Sequence, residues 1–125
     1  MPDAFLLNGQ FSVAPLTGAL SGAPSAVTPL LEQTVLIRQA TATYDLIADA
    51  VQTVLLGGMS VNVLAIKTYG GKIRVRLTSA DGSAQALPVD SLLVLMAQSV
   101  PFTAVDIMRA PGVHTIVNVF LGQSA

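Results

Sequence analysis

Turn formers recur along this chain at short, regular intervals, and that spacing restricts what it can fold into. Gly57-Gly58, Gly70-Gly71, Asp81-Gly82, Pro101 and Pro111-Gly112 separate runs rich in Val, Ile, Leu and Thr. Each pair or proline breaks regular structure for a known backbone reason, and most of the intervening runs are too short for an ordinary helix. The spacing predicts strands over "QTVLIRQAT" (33–41), "VQTVLL" (51–56), "SVNVLAIKT" (60–68), "KIRVRLTS" (72–79), "AQALPV" (84–89), "LLVLMAQ" (92–98), "FTAVDIMR" (102–109) and "VHTIVNVFL" (113–121). A succession of seven or eight such strands predicts an all-β domain, an antiparallel β-sandwich or jelly roll.

One segment competes with this pattern. In "YDLIADAVQTVLLGG", Leu46, Ile47, Ala50, Val51, Val54 and Leu55 share a helical face, with Thr43 as a candidate N-cap and Gly57 as a stop. Its β-branched end and the strand rhythm around it favour β.

The stretch "KTYGGKIRVRL" (67–77) concentrates charge. Four of the six Lys and Arg residues, Lys67, Lys72, Arg74 and Arg76, fall within it. Read as a hairpin closed by Gly70-Gly71, it sets Lys67 opposite Arg74 and sorts the side chains by period 2. Leu64, Ile66, Ile73, Val75 and Leu77 take one face; Lys67, Tyr69, Lys72, Arg74 and Arg76 take the other. Like charges directly opposite destabilise a strand pair by up to about 1 kcal/mol. Two readings follow: a solvated face whose charges discourage edge-to-edge aggregation, or a basic ridge that meets an acidic partner. Nucleic acid is the weaker partner for such a ridge, because only Tyr69 offers a stacking ring and the chain as a whole is not basic.

The first 32 residues have a different character. Four of the seven prolines lie there, and residues 4–31 carry no charge. Proline and the residue before it disfavour helix, so the segment is expected to be extended. Phe5, Leu6, Leu7, Phe11, Leu16, Leu20, Leu30 and Leu31 make it too apolar for a solvated linker. The expected organisation is an apolar arm over 1–32, packed on a neighbouring subunit, followed by a β-sandwich domain over 33–125. Pro15, Pro24 and Pro29 interrupt the uncharged run too often for a membrane-spanning helix, so no membrane partner is expected.

Composition points the same way. Of 125 residues, 52% are hydrophobic and only 10% charged, against about a quarter charged in typical soluble domains. A surface so short of charge is expected to be covered partly by other subunits, as a homo-oligomer. Net charge is −1 and there are no cysteines, which leaves no global field to gather nucleic acid and excludes disulfides and thiolate metal sites.

No catalytic pattern emerges. The single histidine, His114, reads as a packed or hydrogen-bonded strand residue. The carboxylates Asp45, Asp49, Asp81, Asp90 and Asp106 are scattered, and "GMSVN" (58–62) falls one residue short of a nucleophile elbow. No enzyme activity, metal or cofactor is expected. A carbohydrate-binding β-sandwich is a possibility from another class, but it would normally present surface aromatics, and the chain has no Trp and two Tyr.

"LAIKTYGGKIRVRLTSADG", "AQALPVDSLLVL" and the closing "TIVNVFLG" resemble stretches of small β-sandwich virion proteins of tailed bacteriophages. The resemblance covers residues 33–125 and leaves the arm aside. It implies a virion structural protein made in a host cytoplasm. Such a protein would be a head decoration (cement) or minor capsid protein, or alternatively a neck, tail or fibre component. It would be present as homo-oligomers, trimers above all, and docked on partners such as the major capsid protein. The resemblance transfers no catalytic or ligand residues.

Overall fold

The computed structural model describes residues 3–13, 26–97 and 99–124, with side chains from residue 35 onward. The chain divides into two compact units, Met1–Val35 and Leu36–Ala125. The first holds β1 (Asp3–Val13) and the opening part of β2 (Ala26–Leu46), and β1 and β2 are hydrogen-bonded neighbours. The side chains of Phe5, Leu6, Leu7, Phe11, Leu30 and Leu31, and all of Leu16 and Leu20, lie outside the described residues.

The second unit is built from the rest of β2 and seven further strands. These are β3 (Gln52–Thr53), β4 (Val63–Tyr69), β5 (Ile73–Ser79), β6 (Ala84–Val89), β7 (Leu92–Met96), β8 (Phe102–Arg109) and β9 (Thr115–Ser124). They form two antiparallel sheets, β2-β9-β4-β7 and β3-β8-β5-β6. Counted along the chain, that is first-eighth-third-sixth facing second-seventh-fourth-fifth, the strand order of a jelly roll. The fold is therefore the all-β sandwich that the breaker spacing predicts.

Alternation along each strand fills the space between the sheets. Leu64 and Ile66 of β4 and Val117, Val119 and Leu121 of β9 face Ile73, Val75 and Leu77 of β5 and Val105 and Ile107 of β8. Val54, Met59 and Val61 come from the connection before β4 and join the same core. Burying each such side chain contributes about 1.5–3 kcal/mol, which offsets the entropy of ordering the strands.

The strand order corrects the hairpin expected at Gly70-Gly71. β4 pairs with β7 and β9, and β5 pairs with β6 and β8; the two strands belong to different sheets. Among β2–β9, only β5–β6 joins sequential strands as a hairpin, through the Asp81-Gly82 turn. Gly70-Gly71 instead turns the chain from one sheet into the other, close against residues 113–115. A Cβ on Gly70, whose φ is +92°, would lie 2.8 Å from the His114 carbonyl oxygen. One on Gly71 would lie 2.7 Å from Val113 Cγ1 and 2.8 Å from Thr115 Oγ1. Two glycines stand here because the corner has no room for side chains.

A second corner, from β6 into β7, holds Ser91 at φ +90°, a conformation L residues avoid. The end of β4 fixes it. The Ser91 amide donates to Thr68 Oγ1 (2.9 Å), its carbonyl accepts from the Thr68 amide (2.9 Å), and its hydroxyl accepts from Lys67 Nζ (2.7 Å).

The segment with two candidate structures adopts neither over most of its length. Residues 47–60 contain no helix, and the strand expected over 51–56 is reduced to Gln52–Thr53. Leu46 and Val54 are buried, whereas Ile47, Val51 and Leu55 are exposed. A helix would have placed all five on one buried face. The loop is held by specific bonds instead: the Leu55 amide donates to Tyr44 Oη (3.1 Å) and Arg38 donates to the Gly57 carbonyl (2.8 Å).

Candidate functional site

Because β4 and β5 lie in opposite sheets, the five residues expected to form one ridge divide between two outer faces. Lys67 and Tyr69 lie on the outside of the β2-β9-β4-β7 sheet, since Leu64, Ile66 and Thr68 between them turn inward. Lys67 is half-buried, bonded to Ser91, and its Nζ lies 5.5 Å from the centroid of the Tyr69 ring, within cation–π range. Its cross-strand neighbours are Leu92 and Asn118. The like-charge pairing of Lys67 with Arg74 does not occur, and the penalty attached to it does not arise.

Lys72, Arg74 and Arg76 remain together. Ile73, Val75 and Leu77 point into the core, so the alternate positions form an outward row on the β3-β8-β5-β6 sheet, and all three cations are exposed. Arg74 is flanked by Pro88 of β6 and Met108 of β8; Arg76 is flanked by Ala86 and Asp106. Two shallow recesses adjoin the row. One, of about 180 Å³, is lined by Arg74, Arg76, Asp106, Met108 and Val51 among others. The second, of about 340 Å³, lies against Lys72, Arg74, Pro88 and Met108. The sequence singles out neither Met108 nor Pro88, and it presents Val51 only as part of a candidate helical face and Asp106 only as one of several scattered carboxylates. Alternation along 102–109 marks Asp106 and Met108 as outward, but only the strand order brings them beside the arginines.

Of the carboxylates on or near this sheet, Asp49, Asp81 and Asp106 are occupied elsewhere, while Asp90, just after β6, is exposed. Asp49 accepts from Arg109 Nε (2.8 Å) and from the Gly112 amide (3.0 Å). Those bonds, the amide first and the guanidinium with it, hold its carboxyl below the ordinary carboxylate value. Asp81 is lowered likewise, by the Ser83 hydroxyl and then the Ser83 amide. Asp106 accepts from Thr53 Oγ1 (2.9 Å). His114 precedes β9, is exposed, and is hydrogen-bonded to Asp45. Among the described residues, no side-chain hydrogen bond or ion pair engages Lys72, Arg74 or Arg76.

The opposite outer face carries a shallow groove of about 510 Å³ lined by Thr41, Thr43, Lys67, Asn118 and Phe120 among others. Thr43 Oγ1 donates to Asn118 Oδ1 across its floor (2.9 Å). No family model, curated protein or solved structure matches this chain.

Proposed function

We propose that this protein is a non-enzymatic structural subunit that works by self-association and by docking on other subunits, as a head decoration or minor capsid protein of a tailed bacteriophage particle. A neck, tail or fibre component is the alternative position on such a particle. The observation that carries this reading is the exterior of the sandwich. Val35, Ile37, Ile47, Val51, Leu55, Tyr69, Leu92, Val100, Val113 and Ile116 are all exposed on a chain with only 13 charged residues, from 6 Lys and Arg plus 7 Asp and Glu. Apolar groups exposed at this density are covered by partners in working assemblies. The strand β7, Leu-Leu-Val-Leu-Met, supports the same reading. It ends its sheet with no charge, proline or bulge, the devices that normally keep an edge from pairing.

Jelly rolls serve capsids and lectins alike, so the fold alone does not choose a function. A carbohydrate-binding role would use the groove of Thr41, Thr43, Asn118 and Phe120, and saturable binding of an oligosaccharide that protects these residues would favour it.

The test of the structural reading is sedimentation over a wide range of protein concentration, with the full chain and with residues 1–31 removed. A stable oligomer, a trimer foremost, is expected for the full chain, weakened by removal of the arm. A full-length chain that stays monomeric at every concentration refutes the proposal.

A further inference from the structure

We infer that the Lys72–Arg74–Arg76 row, with the recesses beside it, is a docking groove for an extended acidic segment of a protein partner. The inference deepens the reading of the chain as an assembling subunit and depends on it for its biological setting, though not for its test.

Charge complementarity identifies the occupant. Arg74 and Arg76 project from β5 and Lys72 from the residue just before it, and among the described residues none of their side chains has an anionic partner within the chain. Asp106, on the same face, is opposite Arg76 in register but is bonded to Thr53, and Asp90, just after β6, makes no ion pair with the row. Asp49 is held by Arg109 and Gly112. A guanidinium presents a planar fork suited to bidentate carboxylate contacts. Arg74 and Arg76 are two residues apart on a strand, so they project about 6.6 Å apart. An extended peptide lying along β5 repeats its own side chains at the same interval. Carboxylates on alternate residues would therefore meet Arg74 and Arg76 in step.

The walls of the groove add an apolar requirement. Met108 and Pro88 flank Arg74 on either side, and Val51 overhangs the smaller recess with about 65% of its surface exposed. These groups accept aliphatic side chains alongside the ion pairs. The matching segment is acidic and aliphatic together. Single-stranded nucleic acid suits the groove less well: Tyr69, half-exposed, is on the other sheet, so bases would lack the aromatic platform on which they stack.

The test uses the full chain and a dye-labelled peptide of alternating Glu and Leu, with Gln-Leu and Lys-Leu peptides and a single-stranded oligonucleotide as comparisons. Binding is read by fluorescence anisotropy. Saturable binding of the Glu-Leu peptide is expected, weakened by rising salt and reduced about tenfold or more in Arg74→Gln/Arg76→Gln, in line with loss of charge-assisted bonds. Both side chains are exposed, so the variant keeps the wild-type circular dichroism spectrum. Equal affinity for wild type and variant, no saturable binding, or tighter binding of the oligonucleotide each overturns the inference. Self-association is measured separately. A chain that assembles but ignores the peptide refutes the groove alone, and a monomer that binds it refutes the proposed function alone.

Discussion

Replacing Gly70 by Asn separates two accounts of residues 67–77. If Gly70-Gly71 closed a two-residue hairpin, Asn-Gly would be a favoured turn sequence, and the substitution would be neutral or stabilising. In the inter-sheet corner the same change meets two obstacles. The φ of +92° strains any residue with a Cβ, by about 1–2 kcal/mol. The added Cβ would also lie 2.8 Å from the His114 carbonyl oxygen, a backbone atom that cannot rotate away, so the 113–115 segment must shift. Accommodations of that kind cost about 1–3 kcal/mol. Together they predict a loss of roughly 2–5 kcal/mol.

Gly71→Ala provides an internal comparison. Its φ is not in the left-handed region, and its contacts, Val113 Cγ1 and Thr115 Oγ1, belong to side chains. Val113 is partly exposed and can yield, whereas Thr115 is fully buried. A smaller loss, about 1–3 kcal/mol, is expected. Urea unfolding monitored by circular dichroism gives both values. The midpoint should fall with an unchanged slope, at two protein concentrations so that assembly is not mistaken for folding. A Gly70→Asn variant as stable as wild type, or more so, would refute the corner geometry and return β4 and β5 to a common hairpin.

Other consequences follow from named bonds. Thr68→Val removes the buried acceptor of the Ser91 amide and is expected to destabilise by about 1–3 kcal/mol; stability within about 0.5 kcal/mol of wild type means that the Ser91 corner is held by something else. Asp49 and Asp81 have lowered carboxyl values, so their contribution is present above the ordinary carboxylate value of about 4 and is lost as pH falls through the lowered folded values. Unfolding free energy should therefore drop in that acid window and drop less steeply in Asp49→Asn; identical slopes in variant and wild type count against the Gly112–Arg109 clasp. Deleting residues 1–35 should leave a folded β protein, since the core cluster of described residues lies within Leu36–Ala125; loss of spectral dispersion in nuclear magnetic resonance would show that the core needs the first unit.

The sequence disclosed the strands more fully than their pairing. β6 and β8 have the bounds predicted from the breakers, and Leu64, Ile66, Ile73, Val75 and Leu77 are buried as their alternation requires. Alternation depends only on local pleating, so it survives any strand order. Which strand lies alongside is a non-local property. In this fold most connections cross between sheets, and a Gly-Gly crossing corner looks the same in one dimension as a Gly-Gly hairpin. The misplaced ridge follows directly: inward and outward were assigned correctly, but outward from β4 and outward from β5 are opposite sides of the sandwich. The loop at 47–60 was hidden for another reason. It is held by Tyr44, Arg38 and the buried Val54 and Met59, long-range contacts that leave no periodic trace.

The division of charge between the two faces gives the protein two kinds of surface, and salt should distinguish them. The β2-β9-β4-β7 exterior carries Lys67 and Asp45, each already bonded, to Ser91 and to His114, and its free edge is the uncharged β7. Contacts made there rest on apolar burial and backbone pairing, which salt does not screen and which excluded salts such as sulfate strengthen. The β3-β8-β5-β6 exterior presents Lys72, Arg74 and Arg76 to solvent, and exposed ion pairs weaken as the screening length shrinks from about 10 Å at 0.1 M salt to about 3 Å at 1 M. Self-association should therefore persist or tighten between those two salt concentrations while acidic-peptide binding fades. Sedimentation and anisotropy on the same samples measure the two together. If both decline in parallel, assembly itself runs through the arginine row, and the two faces do not divide the work as proposed.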